Sequence, residues 1–381
     1  MDPHSRNGGG GGGYPSAVSS SSSHAARPAN PFRDAEKKYQ LHFDQEMTFS
    51  KGKLRGRKGR FRERPTDLSD VLDVDDDGLD PDGGLRRGVR REVRTLGGAA
   101  TLAVYTLDDH PGFYFVREFL DAGTASDLAR KVVTDYIDPP ATSNHTARHG
   151  DRVGSLWRAA HLGLHLREEA GADDDDDNGG GRAQWTEDRA SASAADLLER
   201  LRWVSLGPHF DWTGRVYLRG GRHRPLPDRL RALANDLVSS LGIDRARDGA
   251  AFDADAALVN FYASKDTLGG HKDDAEADLT RPLVSLSLGC PAIFLLGGET
   301  KETAPAAIMV RHGDVIVLHG EARRSYHGVP RVFSSVKRRT ESGESEDDGA
   351  GGDKREREDE EAEVEAYLKE HRINVSVRMV R

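Results

Sequence analysis

The sequence predicts a mainly β protein with flanking helices, an α+β chain whose core is an antiparallel sandwich or barrel. Beyond Trp203 the chain consists largely of short apolar segments separated by Gly, Pro and Asp turns, which is typical of such cores. In that region residues 227–241 have the 3- and 4-residue apolar spacing of a helix, and Gly242 follows as a stop. The length of 381 residues allows about two to three average domains, or one large domain with appendages.

The first 110 residues are expected to lack a core of their own. Residues 1–30 contain Gly and Ser runs that predict a disordered tail. Residues 31–110 are expected to hold a short helix at about 31–47, a basic segment at 51–64 and an acidic linker. The basic segment has eight Lys or Arg against Glu63, which fits phosphate contact, a nuclear-localisation signal or a disordered solubilising stretch.

Ordered patterning is predicted to begin near Pro111, and residues 111–202 are interpreted as a substrate-lid extension. Its expected elements are a strand at 112–119, a helix at 121–137 capped by Asp121, a less regular and mobile stretch at 139–188 with a disordered Asp-rich insert at 173–177, and a short helix at 197–201.

Residues 203–381 are predicted to form the principal domain. Its expected strands after the helix are 256–263, 282–288, 292–296, 306–311, 315–319, 326–329 and 373–380. A Gly-rich acidic insert at about 338–362 is expected to be disordered and to interrupt the last connection without removing the final strand.

The net charge of −9 is a property of the acidic runs rather than of the whole chain. The runs around 73–82, 173–177 and 341–365 together carry −21, so the remainder carries +12 and a nucleic-acid partner is not excluded. The single cysteine, Cys290, excludes a disulfide framework, Cys-ligated zinc and iron–sulfur clusters, and we interpret it as an apolar filler in a reducing compartment. No apolar run approaches the roughly 20 residues that span a membrane.

Because cysteine ligands are absent, His and carboxylate side chains are the metal-ligand types to search for. A His-x-Asp pair followed by a distant His is the ligand set of non-haem iron oxygenases. The pair itself is a weak signal, since it occurs at His42/Asp44, His149/Asp151, His209/Asp211, His271/Asp273 and His312/Asp314.

Local context separates these five pairs. Residues 42 and 44 fall in the predicted helix, where side chains two positions apart point in different directions. Residues 149 and 151 lie in a polar loop, and residues 312–314 are interpreted as a tight turn around Gly313. His209/Asp211 follows a strand and stays open, and His319 with Glu321 is a further possible metal pair. We prefer His271 and Asp273 with His327, because residues two apart on a strand-like segment share a face and His327 begins a later strand.

The final strand supports this choice. Arg372, Asn374, Ser376 and Arg378 alternate with apolar residues, so the polar set shares one face. Two inward-facing arginines are costly unless they meet anions, which a dicarboxylate and a metal-bound carboxylate would supply. Asn260 and Tyr262 share a face of their own strand in the same way. The alternative is a solvated outer face with ordinary surface arginines.

These residues resemble the AlkB family of Fe(II)- and 2-oxoglutarate-dependent dioxygenases, most closely its first eukaryotic branch. The resemblance covers about residues 203–381. It rests, in order, on Asn260-Phe-Tyr262, His271-Lys-Asp273, the segment 282–289, Ala292-Ile-Phe294, His312-Gly-Asp314, His327-Gly328 and Arg372-Ile-Asn374-Val-Ser-Val-Arg378.

The resemblance implies a double-stranded β-helix, or jelly roll, with Fe(II) held by His271, Asp273 and His327. It implies that Arg372 and Tyr262 bind the distal carboxylate of 2-oxoglutarate, that Asn260 and Asn374 lie by its metal-proximal end, and that Arg378 supports that end and Asp273. One position departs: Ala275 stands where some DNA-repair members carry an acidic residue that contacts the base, which argues against simple repair-type recognition of methylated adenine or cytosine.

The implied activity is oxidative demethylation of nucleic acid with O2 as cosubstrate, which would release N-methyl groups of adenine in tRNA or DNA as formaldehyde. The expected partner is tRNA, single-stranded DNA or unpaired DNA, because the base must leave its stack. Three alternatives stay open: a 5-methylcytosine oxidase on tRNA, a protein hydroxylase or demethylase, and a non-catalytic nucleic-acid-binding module. We expect a monomer without a membrane segment, in nucleus and cytoplasm; the Ser-rich tail gives only weak support for organellar import.

Overall fold

The computed structural model describes most of the chain from residue 30 onward. The described residues are 30–50, 53–74, 88–96, 100–167, 185–189, 192–211, 213–214, 216–218, 220, 222–245, 249–334 and 352–381. The predicted tail at 1–30 falls almost wholly outside them, as do the Asp-rich insert at 173–177 and the part of the acidic insert before residue 352.

The described residues form nineteen strands and seven α-helices. The strands are β1 (Phe43–Ser50), β2 (Lys53–Glu63), β3 (Val89–Leu96), β4 (Ala100–Leu107), β5 (Phe113–Val116), β6 (Thr142–Ser143), β7 (His165–Leu166), β8 (Trp185–Thr186), β9 (Trp203–Leu206), β10 (His209–Asp211), β11 (Val216–Leu218), β12 (Ala256–Ala263), β13 (Leu268–His271), β14 (Leu283–Gly289), β15 (Ala292–Leu296), β16 (Ala306–Val310), β17 (Val315–Leu318), β18 (His327–Val332) and β19 (His371–Arg378). The helices are α1 (Pro31–Tyr39), α2 (Ala122–Lys131), α3 (Thr146–His149), α4 (Leu156–His161), α5 (Ala194–Glu199), α6 (Asp228–Ser240) and α7 (Gly352–Glu370).

Two antiparallel sheets form the centre of the molecule. The larger has nine strands in the order β3-β4-β5-β17-β14-β19-β12-β9-β6, and the smaller has four in the order β13-β18-β15-β16. One buried cluster takes residues from both sheets, including Phe115, Leu283, Phe294 and Val329. The larger sheet therefore packs on the smaller one, as the predicted jelly roll requires.

Helices cover the outer faces of this sandwich. A second cluster joins the larger sheet to α2, α4, α5 and α6 through Leu128, Trp157, Leu197 and Leu237. None of the described helices is both long and apolar enough to cross a membrane. The layer order is helices, large sheet, small sheet and then α1, so the space between the two sheets is shielded from both sides.

Most predicted elements are confirmed within one or two residues. The strand predicted at 256–263 and the helix predicted at 227–241 agree with β12 and α6, and Asp121 caps α2 by accepting a hydrogen bond from the Thr124 amide at 2.9 Å. Cys290 is fully buried among apolar residues, as an apolar filler should be. These elements have either a regular pattern of polar and apolar residues or a capping residue, so their position could be predicted from the local sequence.

The expected start of order near Pro111 was wrong. Strands β3 and β4 lie within the predicted acidic linker, and they pair with β5, which itself pairs with β17. The large sheet thus runs across both expected boundaries: the β4–β5 pair crosses 110, and the β5–β17 and β6–β9 pairs cross 202. Strand β3 is mostly exposed and rich in Arg, and this composition conceals its sheet pairing.

Three further expectations need correction. The first helix ends at Tyr39 rather than Met47. The basic segment lies largely in β2, paired with β1, which contradicts the disordered stretch among its three alternatives. The stretch 139–167 contains α3 and α4 instead of an irregular segment. The acidic insert gives way to α7 at residue 352; Val364 is buried and Leu368 packs against the same cluster, a helical spacing that the surrounding acids dilute.

Helix α1 packs against the outer face of the small sheet beside β13. Asn30 accepts a hydrogen bond from the Arg33 amide at 2.9 Å, which fixes the first turn. Phe32 is 0% exposed, and its ring fills the space next to Gly270 and Gly297, where an added Cβ would lie 2.3 and 2.8 Å from it. Glu36 accepts a hydrogen bond from the Gly270 amide at 2.5 Å. The helix therefore supports the strand that ends at His271.

Removing the Phe32 ring should destabilise the protein strongly. We expect Phe32→Ala to lower the free energy of unfolding by about 3 to 5 kcal/mol, because it leaves a cavity between α1 and two glycines. Denaturant unfolding measures the change, and the matched control Phe61→Ala, at a ring 61% exposed, should cost under about 0.5 kcal/mol. Equal losses in the two variants would contradict this packing.

Candidate metal and carboxylate site

Three side chains predicted as metal ligands come together at one end of the small sheet. His271 ends β13 and pairs across the strands with His327, the first residue of β18. One ligand atom from each of His271, Asp273 and His327 lies within 4.8 Å of the other two. Among the described residues this is the one such group of three His, Cys, Asp or Glu side chains.

In each of the three side chains, one polar atom makes a hydrogen bond within the protein and the other lies near the remaining two candidate ligands. The Nδ1 atoms of His271 and His327 lie 3.0 and 3.2 Å from the backbone oxygens of Gly269 and Ser325. Donation from Nδ1–H would leave Nε2 of both rings as an acceptor, which is the usual arrangement of metal-bound histidine. Asp273 accepts a hydrogen bond from Arg378 on Oδ2 at 3.1 Å, while its Oδ1 lies 3.6 Å from His271 Nε2.

The electrostatic environment favours the metal-binding protonation states. Burial alone would raise the pKa of Asp273, but Arg378 and the nearby histidines outweigh it and hold that pKa well below its usual range. Burial, with a smaller contribution from His271, lowers the pKa of His327 to about 4. Near neutral pH the site therefore offers a carboxylate and, at His327, a neutral imidazole, the forms that bind a metal ion.

A second set of polar side chains lies on the large sheet and faces the same cavity. Strands β12 and β19 pair so that Asn260 lies opposite Asn374 and Tyr262 lies opposite Arg372. Residues directly opposite each other share a face, and so do residues two apart. All four side chains accordingly line the cavity that contains the three candidate ligands.

Arg372 is a buried cation with no carboxylate partner among the described residues. It is 3% exposed, and it donates to Ser287 Oγ at 2.9 Å and to the Cys290 backbone oxygen at 3.5 Å. Its Nε finds no hydrogen-bond partner in the described part of the chain, and no ion pair there includes it. Burial lowers the pKa of Arg372, which expresses the cost of this position. A buried guanidinium of this kind fits an anionic group from a ligand.

Arg378, in contrast, is paired with carboxylates of the protein itself, although its Nε, like that of Arg372, finds no hydrogen-bond partner among the described residues. It donates to Asp273, and its Nη1 donates to Glu276 Oε1 at 2.6 Å. Glu276 in turn accepts a hydrogen bond from Arg323 Nη2 at 2.7 Å, and Arg323 also donates to the Asp273 backbone oxygen. Glu276 and the two arginines are each at least 94% buried. This network fixes the position of Asp273 from two directions.

The cavity between the sheets has a volume of about 400 Å³, within the range of small-molecule sites. Its polar lining consists of the residues above with Ser285, Ser287 and Ser376. Its apolar lining consists of Phe210, Leu258, Leu268, Leu283, Phe294, Ile316, Leu318 and Val329. The cavity thus combines polar and apolar side chains from both sheets.

The structure does not bring the other His-x-Asp pairs into this site. His312 accepts a hydrogen bond from the Gly289 amide, and Asp314 accepts from the amides of Glu118 and Arg311, so both hold loops in place. Gly313 between them has a φ of +89°, which confirms the predicted tight turn. The pairs at 42/44, 149/151 and 209/211, and His319 with Glu321, form no three-residue ligand group among the described residues.

Several residues of the site were not predicted from the sequence. Ser285 and Ser287 alternate with apolar residues on β14, which could have indicated that both face the cavity; they lie opposite Ser376 and Asn374. Glu276 lies in an irregular segment and Arg323 in a short 3-10 turn at 322–324, where no periodicity marks a buried residue. Tyr217, on the β10–β11 hairpin, lies 3.4 Å from both Arg378 and Glu276 through its hydroxyl, and burial raises its pKa to about 12.

The fold and site define a jelly-roll protein with a His/Asp/His metal site and a buried arginine for a carboxylate. The sequence profile of the 2OG-Fe(II) oxygenase superfamily matches residues 178–378. The chain belongs to this superfamily and, within it, to the AlkB family, and it is an Fe(II)- and 2-oxoglutarate-dependent dioxygenase. The predicted family and fold class are thereby confirmed.

Three relatives illustrate the similarity. The chain is 35% identical to the Arabidopsis thaliana DNA N(6)-methyladenine demethylase ALKBH1A, over 92% of this chain and 95% of that protein. It is 29% identical to the tRNA demethylase abh1 of Schizosaccharomyces pombe, over 60% of this chain and 71% of that protein. It is 34% identical to the human nucleic acid dioxygenase ALKBH1, over 60% of this chain and 52% of that protein.

The Glu276 network yields a prediction for stability against pH. Burial would raise the pKa of Glu276, but Arg378 and then Arg323 lower it below the usual 4.5. A carboxyl pKa that folding depresses contributes stability above the unfolded value and loses it as pH falls. We expect Glu276→Gln to lower the free energy of unfolding by about 3 kcal/mol at pH 7, because it leaves two buried arginines with one charge partner fewer.

The stability lost in Glu276→Gln should be largest above about pH 4.5, the unfolded value, and should shrink as pH falls below it toward the lower pKa of the folded protein. Urea unfolding of wild type and variant at several pH values measures this difference, with Glu302→Gln at an exposed position as the control. A difference that stays constant from pH 7 down to about pH 3 would contradict the assigned ion pairs.

Proposed function

We propose that this dioxygenase oxidatively demethylates nucleic acid, with N-methyladenine in tRNA or DNA as the substrate base. The observation that carries the proposal is the juxtaposition, in one cavity, of the His271/Asp273/His327 group and the buried guanidinium of Arg372, which has no carboxylate partner among the described residues. Similarity to proteins named as DNA, tRNA and nucleic-acid demethylases supports the substrate class.

The proposed metal ligands are Nε2 of His271, Nε2 of His327 and Oδ1 of Asp273. The hydrogen bonds at the two Nδ1 atoms and at Oδ2 leave these atoms directed to a common point. Fe(II) accepts two imidazoles and one carboxylate and keeps positions open for other ligands. Arg378 is a positioning residue here, because it holds Asp273 through the oxygen that the metal does not use.

The cosubstrate 2-oxoglutarate is proposed to lie along the β12–β19 pair. Arg372 and Tyr262, opposite each other, would take its distal carboxylate, and Asn260 and Asn374 would lie beside its metal-proximal end. Burial raises the pKa of Tyr262, which keeps its hydroxyl protonated as a donor to a carboxylate. An anion at Arg372 would also reach the Nε that lacks an internal partner.

With Fe(II), 2-oxoglutarate and O2 bound, the site supplies oxidation of a substrate methyl group, with one oxygen atom entering the methyl and the other entering succinate as CO2 leaves. A hydroxylated N-methyl group then breaks its C–N bond to give the free amine and formaldehyde. The chain's own part is to orient the methyl group and to exclude water, which the apolar lining around Phe294 and Leu318 accomplishes.

The substrate base must leave its stack to enter a cavity between two sheets. Single-stranded, looped or unpaired nucleic acid loses the least stacking energy in this step, so such substrates are proposed. Ala275 lines the cavity, so the base meets a methyl group rather than a carboxylate at that position. The monomeric state and the nuclear and cytoplasmic location stay predictions.

Turnover of methylated oligonucleotides tests the proposal. Protein supplied with Fe(II) and 2-oxoglutarate should release formaldehyde and succinate in equal amounts from N-methyladenine in tRNA, in single-stranded DNA or in an unpaired duplex. His271→Ala should lose more than about 100-fold of both products, because loss of a partner behind a metal ligand already costs 10- to 100-fold. His149→Ala, at a His-x-Asp pair outside the site, should keep them.

The product pattern separates the alternatives. Mass spectrometry that finds an oxidised 5-methylcytosine in tRNA and no demethylated adenine would replace demethylation by cytosine oxidation. Succinate formation with candidate proteins but with no methylated RNA or DNA would indicate a protein substrate. Nucleic-acid binding without iron or 2-oxoglutarate binding would indicate a non-catalytic module.

A further inference from the structure

Two adjacent glycines, Gly269 and Gly270, form a β-bulge immediately before the candidate ligand His271. Strand β13 pairs with β18 on both sides of them, but the two glycines lie opposite the single residue Gly328. Strand β13 is also the edge strand of the small sheet. The peptide group between Gly269 and Gly270 therefore lies outside the regular strand ladder, and its N–H and C=O can take other partners.

Both polar atoms of this peptide group are hydrogen-bonded. Its N–H, from Gly270, donates to Glu36 Oε1 of α1 at 2.5 Å. Its C=O, from Gly269, lies 3.0 Å from Nδ1 of His271. The N–H and C=O of a trans peptide group point in opposite directions, so this group joins a carboxylate on one side to an imidazole on the other. A chain of hydrogen bonds thus runs from Glu36 through one peptide group to a candidate metal ligand.

The contacts of α1 hold Glu36 against this peptide group. Glu36 is 4% exposed, and its second oxygen, Oε2, forms an ion pair with Arg33 at 2.7 Å. The ring of Phe32 lies so near Gly270 that an added Cβ would be 2.3 Å from it. Glycine at this position allows α1 to approach the strand closely enough for the carboxylate to reach the amide. One oxygen of Glu36 is therefore fixed on the backbone and the other on an arginine.

The second histidine of the site provides an internal comparison. Nδ1 of His327 lies 3.2 Å from the Ser325 backbone oxygen. The N–H of the same peptide group, from Tyr326, donates to the Gly298 backbone oxygen at 2.8 Å. Both rings thus have Nδ1 on a peptide oxygen whose N–H is bonded as well. The chain of hydrogen bonds ends on a neutral carbonyl behind His327 and on a carboxylate behind His271.

A carboxylate at the far end of the chain strengthens the hydrogen bond at the ring. Hydrogen bonds in series polarise one another, so an anion that accepts from the N–H makes the C=O a stronger acceptor. A stronger acceptor at Nδ1 holds the proton there, fixes the orientation of the ring and makes Nε2 a better electron donor to a metal ion. In many metal sites a carboxylate contacts the histidine directly. In this protein one peptide group lies between the two.

We propose that Glu36 is a positioning residue for metal binding, which acts on His271 through the peptide group between Gly269 and Gly270. This inference rests on the metal ligands of the proposed function and deepens it, because it assigns part of the metal affinity to a carboxylate on α1 that does not line the cavity. Both the acceptor oxygen and the negative charge of Glu36 contribute to that affinity.

The zinc affinity of the metal-free protein tests the proposal without turnover. Zn²⁺ binds imidazole and carboxylate ligands and has no redox chemistry, so competition with a chromophoric chelator gives its dissociation constant. Glu36→Ala should weaken zinc binding about 10- to 100-fold, as does the loss of other partners behind metal-bound histidines. Glu36→Gln keeps an oxygen acceptor without the charge. It should weaken binding about threefold, since charge-assisted hydrogen bonds are roughly twice as strong as neutral ones.

Two controls separate this role from a general loss of stability. Asp138 accepts a hydrogen bond from the Leu156 amide at 3.2 Å on the helical side of the large sheet, and Asp138→Ala should keep the wild-type zinc affinity. In a His271→Ala background, Glu36→Ala should change the affinity less than about twofold, because mutations along one chain of contacts are not additive. In a His327→Ala background, Glu36→Ala should keep its full effect. Circular dichroism verifies that each variant is folded.

Wild-type zinc affinity in a folded Glu36→Ala or Glu36→Gln variant would overturn the proposal. An equal loss in Asp138→Ala would also overturn it, and so would a full effect of Glu36→Ala in the His271→Ala background. Wild-type affinity in His271→Ala alone would reject the metal ligand and the proposal together.

Turnover of methylated oligonucleotides, measured in parallel, tests the substrate class separately. Formaldehyde release by the wild type, with no effect of the Glu36 variants on zinc affinity, would reject the role of Glu36 and retain the demethylase. The expected zinc affinities without formaldehyde release would retain the role of Glu36 and reject the demethylase.

Discussion

The structure depends on two arginines buried on one face of the last strand. Arg372 and Arg378 alternate with the apolar residues of β19, so the sheet register that buries Ile373 and Val377 necessarily directs both guanidinium groups into the space between the sheets. A buried cation is expensive, and the protein meets this cost in two ways. Arg378 has internal carboxylates, whereas Arg372 has neutral oxygens only.

The cavity therefore has two parts: in one, the buried arginine is paired with carboxylates of the protein, and in the other, the buried arginine can pair with a carboxylate of a ligand. Around Arg378, the carboxylates of Asp273 and Glu276 and the second cation Arg323 form an ion-pair network that holds one candidate metal ligand. Around Arg372, the described residues supply a hydroxyl and a carbonyl oxygen but no carboxylate. The small sheet supplies both histidines, and the large sheet supplies the arginines and asparagines. Strand pairing and hydrogen bonds within the protein hold the side chains of each half in place, which limits the entropy lost on binding.

The strands of the site could be predicted from the sequence because alternation determines which side chains share a face. Asn260, Tyr262, Arg372, Asn374 and Arg378 all line the cavity for this reason. Strand context favoured His271, Asp273 and His327 among the five His-x-Asp pairs, and the family resemblance agreed with that choice. Their proximity itself is long-range information, since the pairing of His271 with His327 joins residues 56 positions apart. Glu276 and Arg323 lie in irregular segments, where no local pattern indicates burial. β3 and α7 were hidden by their high charge, although tertiary packing stabilises them.

Cosubstrate discrimination tests most directly whether Arg372 awaits a carboxylate. Calorimetric titration without oxygen compares how Fe(II)-loaded protein binds 2-oxoglutarate and 2-oxopentanoate, which has the same 2-oxo acid end but no distal carboxylate. Wild type should prefer 2-oxoglutarate by at least about 30-fold, since loss of one partner of a buried charge pair costs about 2 to 5 kcal/mol. Arg372→Met should reduce the preference to a few-fold while it still binds both acids. A variant that keeps the wild-type preference would show that the distal carboxylate is bound elsewhere.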